Sequence, residues 1–142
     1  MDKKTIILIK GYMEKARNKL SVAEKLLDGK AYDDAVSRAY YAAFHAAQAM
    51  LLIEGLSANT HHGVVTLFGL HFVKTGKIDK KFGRYLANLK DDRENGDYEI
   101  FSTIDEEVAQ KAVKEAGEFV AEINKFITQL ILASPAEKKP QA

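Results

Sequence analysis

Residues 1 to 134 contain no proline, and the chain's two prolines stand at Pro135 and Pro140. Proline removes a backbone donor and clashes with the preceding turn, so its absence permits long unbroken helices. The apolar pattern uses that freedom. Ile6, Ile9, Met13, Ala16, Leu20, Ala23 and Leu27 step by three and four, the spacing of one helical face. A first helix is therefore predicted over about 5–27. It is ended by Asp28-Gly29, with Gly29 suited to a left-handed cap.

A second helix, about 32–54, is enriched in alanine from Ala35 to Ala49. Small residues stand on nearly every side of it, so neighbouring backbones can come close, and a helix apolar all round belongs at the centre of a bundle. Gly55 ends it. A third helix is predicted over about 61–74, closed by Gly76, and a shorter fourth over about 80–92. Glu94-Asn95-Gly96-Asp97 reads as a turn. Thr103 and Glu106 have the spacing of a capping box for a last helix over about 105–132. Its stripe is Val108, Ala112, Ala116, Phe119, Ile123, Phe126 or Ile127, and Leu130. No segment alternates with the period of a strand. The expected fold is all-α: an antiparallel up-and-down bundle of four long helices plus a short one, spanning 1–133. Residues 134–142 form a polar tail expected to be disordered.

Composition removes several function classes. With no cysteine there are no disulfides or thiolate metal sites. Lys plus Arg number 21 against 20 Asp plus Glu, so no global field draws nucleic acid or anionic membrane, and any such footprint is local. The longest apolar stretch, Ala39 to Ile53, is broken by His45 and Gln48 and falls short of the roughly 20 residues of a membrane span. The N-terminal apolar run is cut by Lys10 and lacks a signal-peptide pattern, so a cytoplasmic protein is expected.

Four groups of residues could carry chemistry. Arg38, Tyr41 and His45 fall along one face of the second helix, where arginine could hold a phosphate and histidine move a proton. The plainer reading is a polar network satisfied across the bundle. His61, His62 and His71 lack any zinc-binding spacing, and His61-His62 fit a helix start; no metal and no cofactor is expected. Asp91 to Tyr98 could be a solvated helix end, or could project Arg93 and Tyr98 at a groove. Lys74, Lys77, Lys80, Lys81 and Arg84 could touch phosphates, although surface lysines are commonly just solvated.

Ser37-Arg38-Ala39-Tyr40-Tyr41-Ala42-Ala43-Phe44-His45-Ala46 resembles the S-R-x-Y-Y-A-x-F-x-A signature of HEPN domains (higher eukaryotes and prokaryotes nucleotide-binding). Thr60-His61-His62-Gly63-Val64 is similar to the T-H-x-G-V block of a bacterial and archaeal HEPN subgroup, and Phe72 to Gly76 to its next block. Arg93-Glu94-Asn95-Gly96-Asp97-Tyr98 resembles its R-x-x-A-D-Y motif, with Gly96 where alanine is usual. The blocks stand in the family's order over about 5–130.

The resemblance implies a helical bundle that forms a symmetric homodimer. Many HEPN proteins are metal-independent ribonucleases with an arginine, four to six residues, then a histidine. Several are toxins encoded beside a minimal nucleotidyltransferase antitoxin. Two stretches of this chain bear on that motif. Arg38 and His45 have the spacing. The late position used in the toxin branch corresponds to 93–98, which holds Arg93, Asp97 and Tyr98 but no histidine. The resemblance thus implies RNA or nucleotide binding, with cleavage carried by Arg93, Asp97, Tyr98 and His45 and ligand contacts from Arg38, Tyr41 and His62. The alternative is a non-catalytic module that docks the nucleotidyltransferase.

Overall fold

A computed structural model describes residues 1–98, 100 and 104–133. Among them stand α1 (Lys3–Asp28), α2 (Tyr32–Ile53), α3 (His61–Phe68), a π-helical turn (Gly69–Val73), α4 (Lys80–Tyr98) and α5 (Glu106–Ala133). The fold is all-α, with four long helices and one short one. The expected tail 134–142 and Thr103 lie outside the described residues.

The second helix is central, as its composition requires. It packs against α1, α3, α4 and α5. Ala35, Ala39, Ala42, Ala43, Ala46, Ala47 and Ala49 are all fully buried. Alanine leaves room for four neighbours, and it has the highest intrinsic helix propensity. Larger side chains fill the rest. Phe119 of α5 meets Phe68 at 5.3 Å and Phe82 at 6.4 Å between ring centroids, and Phe68 meets Phe72 at 5.7 Å. These edge and tilted contacts tie α3, the π-turn and α4 to α5, each contributing about 0.5–1.5 kcal/mol beyond area burial.

The helix ends show where local signals fail. Gly55 and Gly76, expected to end their helices, have φ of 69° and 79°, in the left-handed region. Gly29 does not: its φ is −82°, and Lys30 takes the positive φ of 62°. The reason is the closing bond, Ala31 N–H to Leu26 O at 2.9 Å, which requires the reversal at the residue just before Ala31. The last helix is capped by Asp105, whose Oδ1 accepts from Val108 N–H at 2.9 Å. The largest correction concerns 94–97. They are not a turn; α4 runs through them to Tyr98. A Cβ at Gly96 would stand 3.4 Å from Ile104 Cγ1 and 3.8 Å from Asp33 Oδ1. The glycine lies against the start of the α5 segment and the first turn of α2. Packing decides the conformation there, over a local turn signal worth at most about 1 kcal/mol.

Candidate functional site where α2, α3 and α4 meet

Because α4 continues past Gly96, Arg93 and Asp97 are one helical turn apart on one face. Their Nε and Oδ2 atoms are 2.8 Å apart. Nε is nonetheless a buried donor without a directed hydrogen bond among the described residues. The two observations agree if the carboxylate lies off the N–H direction: the contact is ionic, not the straight fork of a bidentate pair.

The guanidinium is held instead by the aromatic side chains of α2. Arg93 Nη2 donates to Tyr41 Oη at 3.1 Å, and Cζ lies 5.3 Å from the Tyr41 ring and 5.9 Å from the Tyr40 ring. These are cation–π distances. Around the same rings stand two histidines. His61 is 5.7 Å from Tyr41 and His45 is 6.3 Å from it, between ring centroids. Tyr41 is therefore the hub on which Arg93, His45 and His61 converge.

Each histidine is fixed by a different partner. His45 Nδ1 lies 3.0 Å from Gln48 Oε1, one turn along α2. An amide oxygen only accepts, so Nδ1 carries the proton and Nε2 keeps its lone pair in the neutral ring. Partial burial holds the His45 pKa below the usual imidazole value, with Lys15, Lys19 and His61 adding to the effect and the Gln48 bond opposing it. His61 Nδ1 lies 2.6 Å from Tyr40 Oη, and its ring stacks on Phe44 at 4.4 Å. Tyr40 is fully buried, and desolvation pushes its phenol well above the usual range.

His61 reaches this place through the Thr60 cap. Thr60 Oγ1 accepts from Gly63 N–H at 2.9 Å, and a Cβ at Gly63 would stand only 2.9 Å from that oxygen and 3.0 Å from Ala58 Cβ. The threonine and glycine of the Thr60–Val64 block thus hold the first residue of α3, His61, against α2.

The residues singled out from sequence divide accordingly. Arg93, Asp97, Tyr41 and His45 are joined by contacts. Tyr98 follows Asp97 at the end of α4 and is 76% exposed. Arg38 is exposed on α2 and does not join the Tyr41–His45 pair. His62 is exposed, its Nε2 3.5 Å from Thr66 Oγ1 on its own helix. Spacing alone does not assign Tyr40 and His61 to the site; the Tyr40-Tyr41 pair and the Thr60–Val64 block are the available signals. Among the described residues no three histidine, aspartate or glutamate side chains converge as metal ligands. The basic residues Lys74, Lys77, Lys80, Lys81 and Arg84 are exposed; Lys77 pairs with Glu54, and Lys81 lies over Phe82. Among the described residues no helix is long and apolar enough to cross a membrane.

Known proteins bear out the architecture. The family model described as HEPN domain matches residues 9–126. A protein of Methanocaldococcus jannaschii named as a candidate toxin is 39% identical over 123 residues, 87% of this chain and 91% of the relative. A UPF0332 protein of Thermotoga maritima is 36% identical over 123 residues, 87% of this chain and 93% of that one. The crystal structure of TT1696 from Thermus thermophilus superposes with a TM-score of 0.70 at 17% identity, covering 83% of this chain and 97% of the other, a likeness of fold. The chain belongs to the HEPN-domain family.

Proposed function

We propose that the chain binds the phosphates of RNA or of a nucleotide at the Arg93 cluster and cuts RNA there without a metal, as a toxin paired with a minimal nucleotidyltransferase antitoxin. The observation that carries this reading is the state of Arg93. Its side chain is one-fifth exposed, and its guanidinium, with Nε buried, is oriented by Tyr40 and Tyr41 and contacted by Asp97 off the hydrogen-bond direction. An arginine already forked by a carboxylate has its best donors consumed; this one is oriented and keeps donors for an anion. The toxin part rests on the name of the Methanocaldococcus relative.

In the proposed step the substrate's 2′-hydroxyl attacks the adjacent phosphorus and the bond to the 5′-oxygen breaks, leaving a 2′,3′-cyclic phosphate. An internal nucleophile needs no metal to generate it. Arg93 stabilises the charge gathering on the phosphorane-like oxygens. His45 is the proton acceptor, since Gln48 leaves its Nε2 lone pair available; Asp97 serves Arg93 instead. Water protonates the leaving 5′-oxygen, and the hydroxide formed recovers the proton from His45. Tyr98, exposed at the end of α4, orients the phosphate, with Arg38 and His62 as more distant contacts. The working form in this reading is a homodimer, in which two Arg93 copies share one cleft.

The test uses purified protein and a mixed RNA pool in EDTA, with Arg93→Ala and His45→Ala beside the wild type and helicity followed by circular dichroism. Loss of cleavage and weaker RNA retention in Arg93→Ala, with loss of cleavage alone in His45→Ala, is the expected result. Unchanged cleavage in Arg93→Ala would reject the site. Binding without cleavage by the wild type would move the assignment to a non-catalytic module that docks its partner.

A further inference from the structure

The late motif of this chain, Arg93 to Tyr98, holds no histidine, yet α3 brings one to the same rings. We infer that His61 is a second phosphate-binding group, a neutral imidazole that donates its Nε2–H beside the Arg93 guanidinium, so that the two side chains take different oxygens of one phosphate. This rests on the proposed RNA-binding role of Arg93.

The tautomer follows from Tyr40. That hydroxyl is buried and stays protonated, so its hydrogen must be donated, and His61 Nδ1 at 2.6 Å is the acceptor that the described residues supply. Leaving the phenol hydrogen unpaired inside the bundle would forfeit its solvation with nothing in return. With Nδ1 accepting, a neutral ring carries its proton on Nε2. Three further features keep the ring neutral. It is partly desolvated by stacking on Phe44. It faces the positive charges of Arg93 and Lys90. It is also the first residue of α3, where the helix dipole disfavours a cation. Glu94 acts in the opposite sense, but its carboxylate is engaged by Lys90 at 2.6 Å. Among the described residues Tyr41 and His45 of α2 are further titratable neighbours.

The geometry brings the His61 ring and the Arg93 guanidinium to the same two tyrosine rings. Both flank Tyr41, the ring of His61 at 5.7 Å and Arg93 Cζ at 5.3 Å, and both flank Tyr40, at 5.5 and 5.9 Å. On this inference an anion held by Arg93 meets an N–H that needs no proton uptake to donate. His45 is the contrasting case: its Nδ1 gives to Gln48, so its free nitrogen accepts. The two histidines on Tyr41 are thus set for opposite roles, His61 to bind and His45 to take a proton.

The experiment is an affinity series with a fluorescent mixed-sequence RNA 12-mer in EDTA, together with 15N NMR of the histidine rings. Wild-type His61 is expected to be a neutral Nε2–H tautomer at neutral pH. Tyr40→Phe, which keeps the ring and removes the lock, should mix the tautomers and raise the His61 pKa. His61→Ala should weaken RNA binding about ten- to a hundredfold, the range for one hydrogen bond to a charged group. His61→Gln, which offers an N–H at similar reach, should recover most of that loss. A His61→Ala protein that binds like the wild type while Arg93→Ala does not would overturn the role of His61 and leave the Arg93 reading standing. A protonated or Nδ1–H ring in the wild type would overturn it on spectroscopic grounds alone. Absence of RNA binding by the wild type would remove the Arg93 reading and this inference with it.

Discussion

Gly96→Ala is expected to stabilise the protein, and the sign of the effect separates two conformations of the Arg93 motif. In a turn, Asn95-Gly96 would place glycine at positive φ, and alanine there would cost roughly 1 kcal/mol. In the structure Gly96 is a helical residue of α4 without positive φ. Alanine in a helix interior is favoured over glycine by about 0.8–1.0 kcal/mol. Gly96 stands two residues before the end of α4, where helices fray, so we expect about 0.5–1 kcal/mol. The added methyl also fits: its nearest neighbour, Ile104 Cγ1, would be 3.4 Å away, an ordinary contact. Gly83 supplies the contrast on the same helix. There a Cβ would approach Val73 Cγ2 to 3.0 Å, so the gain from the same substitution is smaller. Urea unfolding followed by far-ultraviolet circular dichroism measures both variants, with equal slopes marking an unchanged unfolded state. For a domain of this size the expected gain raises the melting temperature by about 2–4 °C. A loss of about 1 kcal/mol or more at Gly96, the cost of alanine in the turn conformation, would refute the helical assignment. It would also dissolve the one-turn relation between Arg93 and Asp97.

Two further outcomes follow from the packing. Ala46→Leu adds apolar bulk at a position with no exposure, between helices with no room to part, so overpacking of about 1–3 kcal/mol outweighs the hydrophobic gain; Ala121→Leu on the exposed side of α5 should change stability in the same urea melts by less than about 0.5 kcal/mol. Glu115 is buried at 7% exposure, and desolvation raises its carboxyl pKa, with Asp92 and Glu118 adding and Lys111 and Lys114 opposing. A folded-state value above the unfolded one favours the fold below the unfolded carboxyl range, about 4.3, and withdraws that support as pH rises through the folded value. Glu115→Gln should therefore gain on the wild type as pH increases from about 4 to about 8 in urea melts, and parallel curves would refute the argument.

The bundle was legible because its information is periodic and repeated. Each long helix states its buried face several times over, so an error at one position changes nothing. On α5 the buried set of Ala109, Ala112, Val113, Ala116, Phe119, Val120, Ile123, Ile127 and Ile131 is turned slightly from the expected stripe, leaving Val108, Phe126 and Leu130 half-covered. The face is the same. Helix ends have no such redundancy. Glu94-Asn95-Gly96-Asp97 carries a clear local turn signal, yet Ile104, just before α5, and Asp33, 63 residues away on α2, stand against that glycine. Lys30 takes the left-handed conformation beside an available glycine because Ala31 N–H must reach Leu26 O. In both cases a tertiary or cap bond outweighs a propensity smaller than itself.

The site was half legible for a related reason. Periodicity says which side chains share a face and nothing about which face opposes it. It could align Tyr41 with His45, but Arg93, 52 residues away, meets Tyr41 only because α4 lies across α2. It could not find His61, whose place depends on a cap closing at Gly63 and on a hydroxyl from another helix. Motif reading asks whether a histidine follows the arginine at a set interval; the chemistry asks only whether an imidazole of the right protonation stands near the guanidinium. Here α2 touches both rings: Tyr40 Oη lies against His61 Nδ1, where we infer that it donates, and Gln48 Oε1 accepts from His45. The sequence gap between Arg93 and its histidines is therefore no measure of their distance. On the proposed reading, a helix that looks in sequence like packing material determines which histidine holds the phosphate and which one moves the proton.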